Sequence, residues 1–164
     1  MNQQYTDTEG ISITKAGLAD MEEILRLQYA AYQSEARLHN DFTIQPLTQT
    51  LEETIAEYHR SVVLKAVQNG AIIGSVRARA GGNTAYIAKL MVHPGHQGKG
   101  VGRQLLAAIE AEFPCMRYEL FTACKSDRNI HLYESGGYTR FREEEDSAGI
   151  AFAYMEKNGA ANIP

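Results

Sequence analysis

The N-terminal part of the chain combines one strand pattern with two helix patterns. Residues 11–14 alternate apolar and polar side chains, which is typical of a short strand. Asp20 and Glu23 stand three positions apart, as in a capping box, and predict the start of a helix; Thr50 and Glu53 repeat this spacing before a second, shorter helix. The first helix is predicted to bury one face, because its apolar side chains recur at intervals of three and four: Met21, Ile24, Leu25, Tyr29, Tyr32 and Ala36.

The middle of the chain predicts an antiparallel meander. Residues 62–67 and 71–76 are rich in β-branched side chains, and Asn69 and Gly70 between them are the pair that a type I′ hairpin turn favours. A third apolar run over residues 85–92 ends shortly before a proline. These runs predict three neighbouring antiparallel strands.

The C-terminal part predicts helices and strands in alternation. Helical spacing of apolar residues covers 101–113, and residues 117–122 return to a strand-like composition. Ser126 is placed to cap a last helix that Gly136 ends, and residues 152–155 suit a closing strand. The predicted order is β-α-α-β-β-β-α-β-α-β, with room for one more strand, which gives a mixed α/β fold with one mixed sheet and helices on both of its faces.

Composition and charge narrow the class of protein. The 164 residues are 44% hydrophobic, which is enough for one globular domain over residues 1–164. The net charge is -4 and the 16 Lys and Arg residues form no basic run, so nucleic acid is not an expected partner. There is no signal-peptide pattern and no run near the ~20 apolar residues of a membrane span, which predicts a cytoplasmic protein without membrane contact. Cys115 and Cys124 lack metal-ligand spacing, so no metal is expected.

The candidate for chemistry is the segment Gln-Gly-Lys-Gly-Val-Gly at residues 97–102. It lies between a predicted strand and a predicted helix, so its N–H groups are the unpaired first donors of that helix. Glycines leave the main chain open to a bulky anion and the helix dipole favours negative charge, which indicates a pyrophosphate. A Walker loop does not fit, because His93 and Gly100 stand where it needs Gly and Ser or Thr. A dinucleotide fingerprint is disfavoured, because Arg103 stands where its third glycine belongs.

The glycine segment resembles the Q/R-x-x-G-x-G/A acetyl-CoA signature of the GNAT superfamily of N-acetyltransferases, and residues 90–94 before it resemble the family's fourth strand. Residues 129–138 are similar to a second region of the family, with Ser135 and Gly136 where a Lys-Leu or similar pair is common. The resemblance runs over residues 11–157. It implies acetyl-CoA as co-substrate and a central mixed, mostly antiparallel sheet of six to seven strands, splayed at the acetyl-CoA site.

The resemblance also implies roles for individual residues. The main chain of Met91 and Val92 would pair with the pantetheine arm as an added strand does. Asn129 would lie beside the pantetheine, and Tyr133 beside the sulfur, where its hydroxyl would act as general acid for the departing thiolate. The residues implied to hold the diphosphate are Gln97, Gly98, Lys99, Gly100, Val101, Gly102 and Arg103.

Direct transfer is the mechanism that the resemblance implies. The amine would attack the thioester in a ternary complex, so no cysteine nucleophile is expected. An acceptor amine with a pKa of ~10.4 needs a base to lose its proton at neutral pH. The sequence does not single out that base among Glu35, Tyr86, His93 and Glu119.

Two alternatives to transfer onto a small amine stay open. A non-catalytic acyl-CoA-binding or sensing domain would keep the glycines and dispense with the acid, so the presence of Tyr133 favours an enzyme. The second alternative is an enzyme that acetylates protein N-termini or lysines, and composition does not distinguish it from one that acetylates a small amine.

The acceptor region of the family usually corresponds to residues 36–50. A homodimer is compatible with the sequence. Four acidic residues in and near this region could attract a cationic substrate: Glu35, Asp41, Glu52 and Glu53.

Overall fold

The computed structural model describes residues 5, 6, 10–114 and 116–159. Its centre is an eight-stranded sheet in the order β1-β2-β3-β4-β5-β6-β8-β7. The pairs are antiparallel except that of β5 with β6. This confirms the predicted fold class; the sheet gains a strand over the expected six to seven because a two-residue strand pairs at its edge. The strands are β1 Tyr5–Thr6, β2 Ser12–Lys15, β3 Val62–Gln68, β4 Ala71–Gly81, β5 Thr84–Val92, β6 Arg117–Ala123, β7 Thr139–Glu145 and β8 Ala151–Asn158.

Helices cover both faces of the sheet. On one face, Met21 and Ile24 of α1 pack against Val63 of β3 and Met91 of β5. On the other, helix α5 approaches β4 so closely that a Cβ at Gly74 would stand 2.8 Å from Cδ1 of Leu105. None of the helices in the described part of the chain is long and apolar enough to span a membrane. The helices are α1 Met21–Ala31, α2 Gln33–His39, α3 Gln45–Thr48, α4 Leu51–Arg60, α5 Val101–Ala111 and α6 Asp127–Ser135.

Local signals for turns and caps were right only where no distant partner competes. Asn69 and Gly70 have the positive φ angles, 51° and 77°, of the predicted turn, and the Thr50 hydroxyl accepts a hydrogen bond from the Glu53 N–H at 3.2 Å. Helix α1 begins directly after Asp20, as predicted, but the predicted side-chain cap is wrong, because Asp20 makes no capping hydrogen bond to α1. Its carboxylate instead accepts from the Gly17 N–H and from the Lys65 ammonium, both at 2.8 Å.

Helix α6 begins after Ser126 and ends before Gly136, as predicted, but the predicted side-chain cap at Ser126 is also wrong, and the first predicted helix is divided. Ser126 makes no side-chain bond to the backbone of α6; its hydroxyl donates to Oε1 of Glu35 at 2.8 Å. The helix pattern over residues 21–36 breaks into α1 and α2 at Tyr32, whose φ and ψ are -86° and 1°. The break turns α2 and its Glu35 toward the end of the sheet where β5 and β6 separate.

That separation of β5 from β6 makes room for a site. The two strands pair only from Thr84 with Arg117 to Tyr86 with Glu119, whereas β6 pairs with β8 along its whole length. Strand β5 also carries a bulge, because Ala88 pairs with Arg77 but Met91 pairs with Ser75. An extra residue bends a strand away from its neighbour. The β6-facing edge of β5 beyond Tyr86 is therefore without a strand partner among the described residues.

Candidate functional site

The first cavity, of about 400 Å³, lies where β5 ends and α5 begins. We call it the glycine-loop cavity. Its wall is formed by the end of β5, the loop to α5, the first turn of α5, and residues of α1, α2 and α6. The lining includes residues from the unpaired end of β5 and from the first turn of α5, where main-chain N–H groups have no partner within the helix. Such a surface suits a ligand that carries amides and an anion.

Two glycines give the loop its shape. Gly98 and Gly100 have φ angles of +76° and +84°, which L-residues rarely adopt. A Cβ on either glycine would meet no atom within 4 Å, so the space beyond them is open. Gly102 differs, since its Cβ would stand 3.3 Å from Cδ2 of Leu132 and so would crowd α6. The loop thus offers an uncovered backbone at the positive end of a helix, which fits a diphosphate group.

The structure brings most of the predicted ligand-binding residues to this one cavity. Val101 lines the cavity, and it belongs to the buried core. Lys99 is exposed and is not part of the lining. Arg103 is on the wall, and its guanidinium donates to the Ser135 hydroxyl at 2.9 Å. The predicted residues on the wall are Met91, Val92, Gln97, Gly98, Gly100, Val101, Gly102, Arg103, Asn129 and Tyr133.

Arg128, which was not predicted from the sequence, stands beside Asn129 on the same wall. Its guanidinium donates to Oε1 of Gln97, and the amide of Gln97 donates in turn to the Val92 carbonyl at 3.1 Å. These two hydrogen bonds connect α6 to the loop and to the end of β5. A cation at the start of the last predicted helix was the available signal, but its contact with Gln97 depends on the fold.

A second cavity, of about 560 Å³, lies on the other side of the gap between β5 and β6. We call it the α2 cavity. It is walled by the end of α2, the segment around Ile44 and Pro46, the bulge of β5, strand β6 and the loop around Ser147. The two cavities meet, because five residues line both: Tyr32, Glu35, Leu90, Asn129 and Tyr133.

Tyr133 stands at this junction. It is buried, with 6% of its surface exposed, and its ring packs edge-on against Tyr138 with 6.1 Å between the centroids. Burial raises the pKa of Tyr133, and the nearby Tyr32 and the charge of Glu35 raise it further. The phenol therefore stays protonated through the neutral range and can donate, although it is a weaker acid than a free tyrosine. Burial also raises the pKa of Tyr32, to about 12.

The α2 cavity carries charges of both signs. Glu35, Asp41 and Asp146 supply carboxylates to its wall, and Lys89 supplies an amine. Burial lowers the pKa of Lys89 to about 8, and the positive charge of Arg77 lowers it too. Hydrogen bonds from the Thr43 hydroxyl and N–H lower the pKa of Asp41, so its carboxylate is ionised at neutral pH.

Only some of the predicted acidic residues and candidate bases lie at the two cavities. Glu52 and Glu53 are exposed on α4 and line neither of the two cavities, whereas Glu35 and Asp41 line the α2 cavity. Of the four candidate bases, Glu35 alone reaches the junction. Tyr86 is exposed, Glu119 pairs with Arg117 at 2.9 Å, and His93 accepts a hydrogen bond from the Gly95 N–H at 3.0 Å.

The thiol of Cys124 lies outside both cavity walls. Burial raises its pKa, as does the negative charge of Glu143. A raised pKa lowers the fraction of thiolate, which is the nucleophilic form. Cys115 lies outside the described residues.

Comparison with known proteins agrees with this geometry. A family model described as an acetyltransferase (GNAT) domain matches residues 28–158. The L-amino acid N-acyltransferase MnaT of Escherichia coli is 29% identical over 139 residues, which are 78% of this chain and 79% of that protein. The UPF0157 protein YqkA of Bacillus subtilis is 26% identical over 129 residues, which are 78% of this chain but only 37% of that protein.

The fold agrees as well. The crystal structure of the PaiA N-acetyltransferase from Thermoplasma acidophilum, in complex with coenzyme A, superposes with a TM-score of 0.73 at 17% identity, over 90% of this chain and 98% of that one. A likeness at this identity bears on the fold alone. Because the family model matches most of the chain and the sheet is splayed where the glycine loop begins, the chain belongs to the GNAT superfamily of acetyl-CoA-dependent N-acetyltransferases.

Proposed function

We propose that this protein moves an acetyl group from acetyl-CoA directly to the primary amine of a small molecule bound in the α2 cavity. The observation that carries the proposal is the meeting of two cavities at Tyr133, one walled by the glycine loop and the other by α2. A ternary complex needs two sites that open onto one reacting centre, because the amine must reach the thioester carbon directly. Tyr133 marks that centre.

The residues of the glycine-loop cavity fit acetyl-CoA, which supplies the acetyl group as a thioester. The loop at Gly98 and Gly100 and the first N–H groups of α5 would hold the diphosphate. Arg103 and Arg128 would add positive charge beside it. The unpaired edge of β5 would hold the amides of the pantetheine arm as an added strand does.

Tyr133 would serve as the general acid. Its hydroxyl is kept protonated by burial, and the acetyl end of the ligand must pass it to reach the α2 cavity. As the C–S bond breaks, the phenol would donate its proton to the sulfur. General acid catalysis of this kind contributes about 10²–10⁴ in rate.

The charges of the α2 cavity favour an acceptor that is a small amino acid-like molecule. Its carboxylates suit an ammonium group, Lys89 suits a carboxylate, and Ile44, Phe121 and Phe152 provide apolar contact. The name of the Escherichia coli relative, an L-amino acid N-acyltransferase, supports this class of acceptor. A walled cavity also suits a free molecule better than the side chain of a folded protein.

The test is a screen of the twenty common L-amino acids with acetyl-CoA, in which release of the CoA thiol is followed. Benzylamine, which has an amine and no carboxylate, is the comparison. We expect amino acids with apolar side chains to be acetylated faster than benzylamine. Acetylation of benzylamine alone would contradict the acceptor class, and tight acetyl-CoA binding without acetylation of any amine would favour a sensing domain instead.

A further inference from the structure

His39 has a buried nitrogen without a hydrogen-bond partner among the described residues. It is the last residue of α2, and 8% of its side chain is exposed. Among the described residues, none forms a hydrogen bond with its Nε2 atom. His39 lines the α2 cavity. Because buried polar atoms are almost always hydrogen-bonded, the exception indicates a group that a bound molecule can use.

Glu35 stands one helical turn before His39 on the same face of α2. Its Oε2 atom lies 3.9 Å from Nε2 of His39, which is too long for a hydrogen bond. Its Oε1 atom accepts a hydrogen bond from the Ser126 hydroxyl at 2.8 Å, and this bond orients the carboxylate. Glu35 also lines both cavities and lies near enough to Tyr133 for its charge to act on the phenol. Both residues of the pair therefore line the α2 cavity, and Glu35 lies close to the proposed general acid.

Building on the proposed function, we propose that His39 is the general base of the transfer and that Glu35 is the counter-ion that holds the acceptor ammonium. The ammonium would bind to the carboxylate of Glu35 and give one proton to Nε2 of His39. The nitrogen lone pair then forms the C–N bond to the acetyl carbon while the C–S bond breaks, and the electron pair left on sulfur takes the proton of Tyr133. The second amine proton passes through solvent to the Tyr133 phenolate and restores the phenol. His39 releases its proton to solvent.

The chemistry of the two side chains sets this division of roles. An imidazole is ordinarily a stronger base than a carboxylate, so it is the better acceptor of the ammonium proton. A carboxylate keeps its charge when an ammonium binds and is the better counter-ion. Proton transfer to His39 creates an imidazolium, which the neighbouring carboxylates would stabilise. The titratable groups that share the cavity wall with His39 are Glu35, Asp41, Asp146, Lys89, Tyr32 and Tyr133.

The experiment separates binding from chemistry with two variants and a matched control. L-leucine is the amine, its binding to the CoA-loaded protein is measured by calorimetry, and kcat is measured by thiol release. We expect His39→Gln to lower kcat by about 10²–10³ while L-leucine binds within threefold of wild type. Glu35→Gln should weaken L-leucine binding by tenfold or more. His59→Gln, at an exposed position on α4 outside both cavities, should change neither quantity.

Two further readouts exclude a purely structural role for His39. The acidic limb of the pH profile of kcat should disappear in His39→Gln, and added imidazole should restore turnover to His39→Ala, because a small base can enter the space of the deleted ring. An unchanged melting temperature and acetyl-CoA affinity show that each variant is folded.

Three outcomes would overturn the assignment. The first is a kcat for His39→Gln within threefold of wild type, and the second is a loss of kcat in His39→Ala that imidazole does not relieve. The third is a wild-type protein that acetylates none of the twenty common L-amino acids and does not acetylate benzylamine. That result removes the proposed function and the base with it, whereas the first two leave the proposed function intact.

Discussion

The hydroxyl of Tyr133 can be removed while its ring stays in place, which separates chemistry from packing at this residue. The ring contacts Tyr138, and that contact survives in Tyr133→Phe. We expect kcat to fall by about 10²–10⁴, because the sulfur would lose its proposed proton donor. The dissociation constant for acetyl-CoA, measured by calorimetry, should change by less than tenfold, since a neutral hydrogen bond contributes about 1 kcal/mol. A variant that keeps turnover within a few-fold would make Tyr133 a packing residue.

Lys89 gives a prediction about stability and pH. Burial lowers its pKa in the folded protein to about 8, from the ordinary value of 10.5. Between these two values the unfolded chain binds more protons than the native one, so this residue makes the free energy of unfolding rise with pH through that window. Below the window the native state holds a charged, partly desolvated lysine at a cost on the order of 2 kcal/mol.

Replacing Lys89 with Met should remove that dependence. We expect Lys89→Met to gain in stability relative to wild type at pH 7 and to lose that advantage as the pH approaches 10.5. Urea unfolding of both proteins at several pH values measures the difference. Lys125→Met, at an exposed position, is the control and should track wild type throughout. A stability difference that does not vary with pH would show that Lys89 is not desolvated in the native state.

At the scale of elements, we predict that the loop before α5 loses affinity for acetyl-CoA when Gly100 acquires a side chain. In Gly100→Asp a side chain would occupy the open space beyond the loop and place a negative charge where the diphosphate is proposed to bind. We expect acetyl-CoA affinity to fall by at least tenfold. Gly82→Asp is the matched control, because Gly82 also has a positive φ, +60°, with open space beyond it, and lines neither cavity.

The control separates backbone strain from ligand contact in the glycine loop. Both substitutions should lower the melting temperature to a similar degree, since each forces a residue other than glycine into a left-handed conformation. Gly82→Asp should leave acetyl-CoA affinity unchanged. Equal affinity in the two variants, as measured by calorimetry, would place the diphosphate elsewhere.

Elements were predictable from the sequence where their causes are local. The turn at Asn69 and Gly70 and the cap at Thr50 depend on neighbours within three residues, and the structure contains both. Asp20 and Ser126 have equally good local patterns, but Lys65 and Glu35 supply partners from distant parts of the chain. A local pattern cannot show which of two partners a polar side chain will meet.

The candidate site follows the same rule. The glycine loop was visible in the sequence, because its glycines and the helix after it are contiguous. The α2 cavity was not, since it joins α2, the bulge of β5, strand β6 and the loop before β8. His39 in particular gives no local signal: its role depends on burial and on Glu35 lying one turn away. The sequence therefore predicts the co-substrate better than the acceptor.

At the scale of the whole molecule, the sheet consists of two leaves joined at one corner. The N-terminal leaf is β1–β5 and the C-terminal leaf is β6–β8, and between them β5 and β6 share three residue pairs. Arg117 reinforces this corner, since its guanidinium bonds to Glu156 and Glu119 in the C-terminal leaf and to the Thr84 hydroxyl in the other. Beyond Tyr86, β5 and β6 are no longer paired, and the gap between the two leaves begins there.

A ligand that lies along the edge of β5 and contacts α6 should make the two leaves more cooperative. We expect acetyl-CoA to slow amide exchange in β6 and β8 as well as in the glycine loop, because binding to the native state lowers the population of forms in which the leaves separate. Hydrogen exchange followed by mass spectrometry, with and without acetyl-CoA, measures this. Protection confined to the loop and the first turn of α5 would show that the ligand does not couple the two leaves.

The hydrogen bond between Ser126 and Glu35 matters for the way in which this protein tolerates change. It joins positions 91 residues apart, so a substitution at either position changes the surroundings of the other. Effects of substitutions at residues in contact are generally not additive. In a library that varies position 35 alone, the Ser126 hydroxyl would lose its hydrogen-bond acceptor whenever Glu35 is replaced by an apolar residue. Such a library would also miss residues at position 35 that are compatible only with a different residue at position 126. Evolution of acceptor preference in this protein should therefore proceed through paired changes at these two positions.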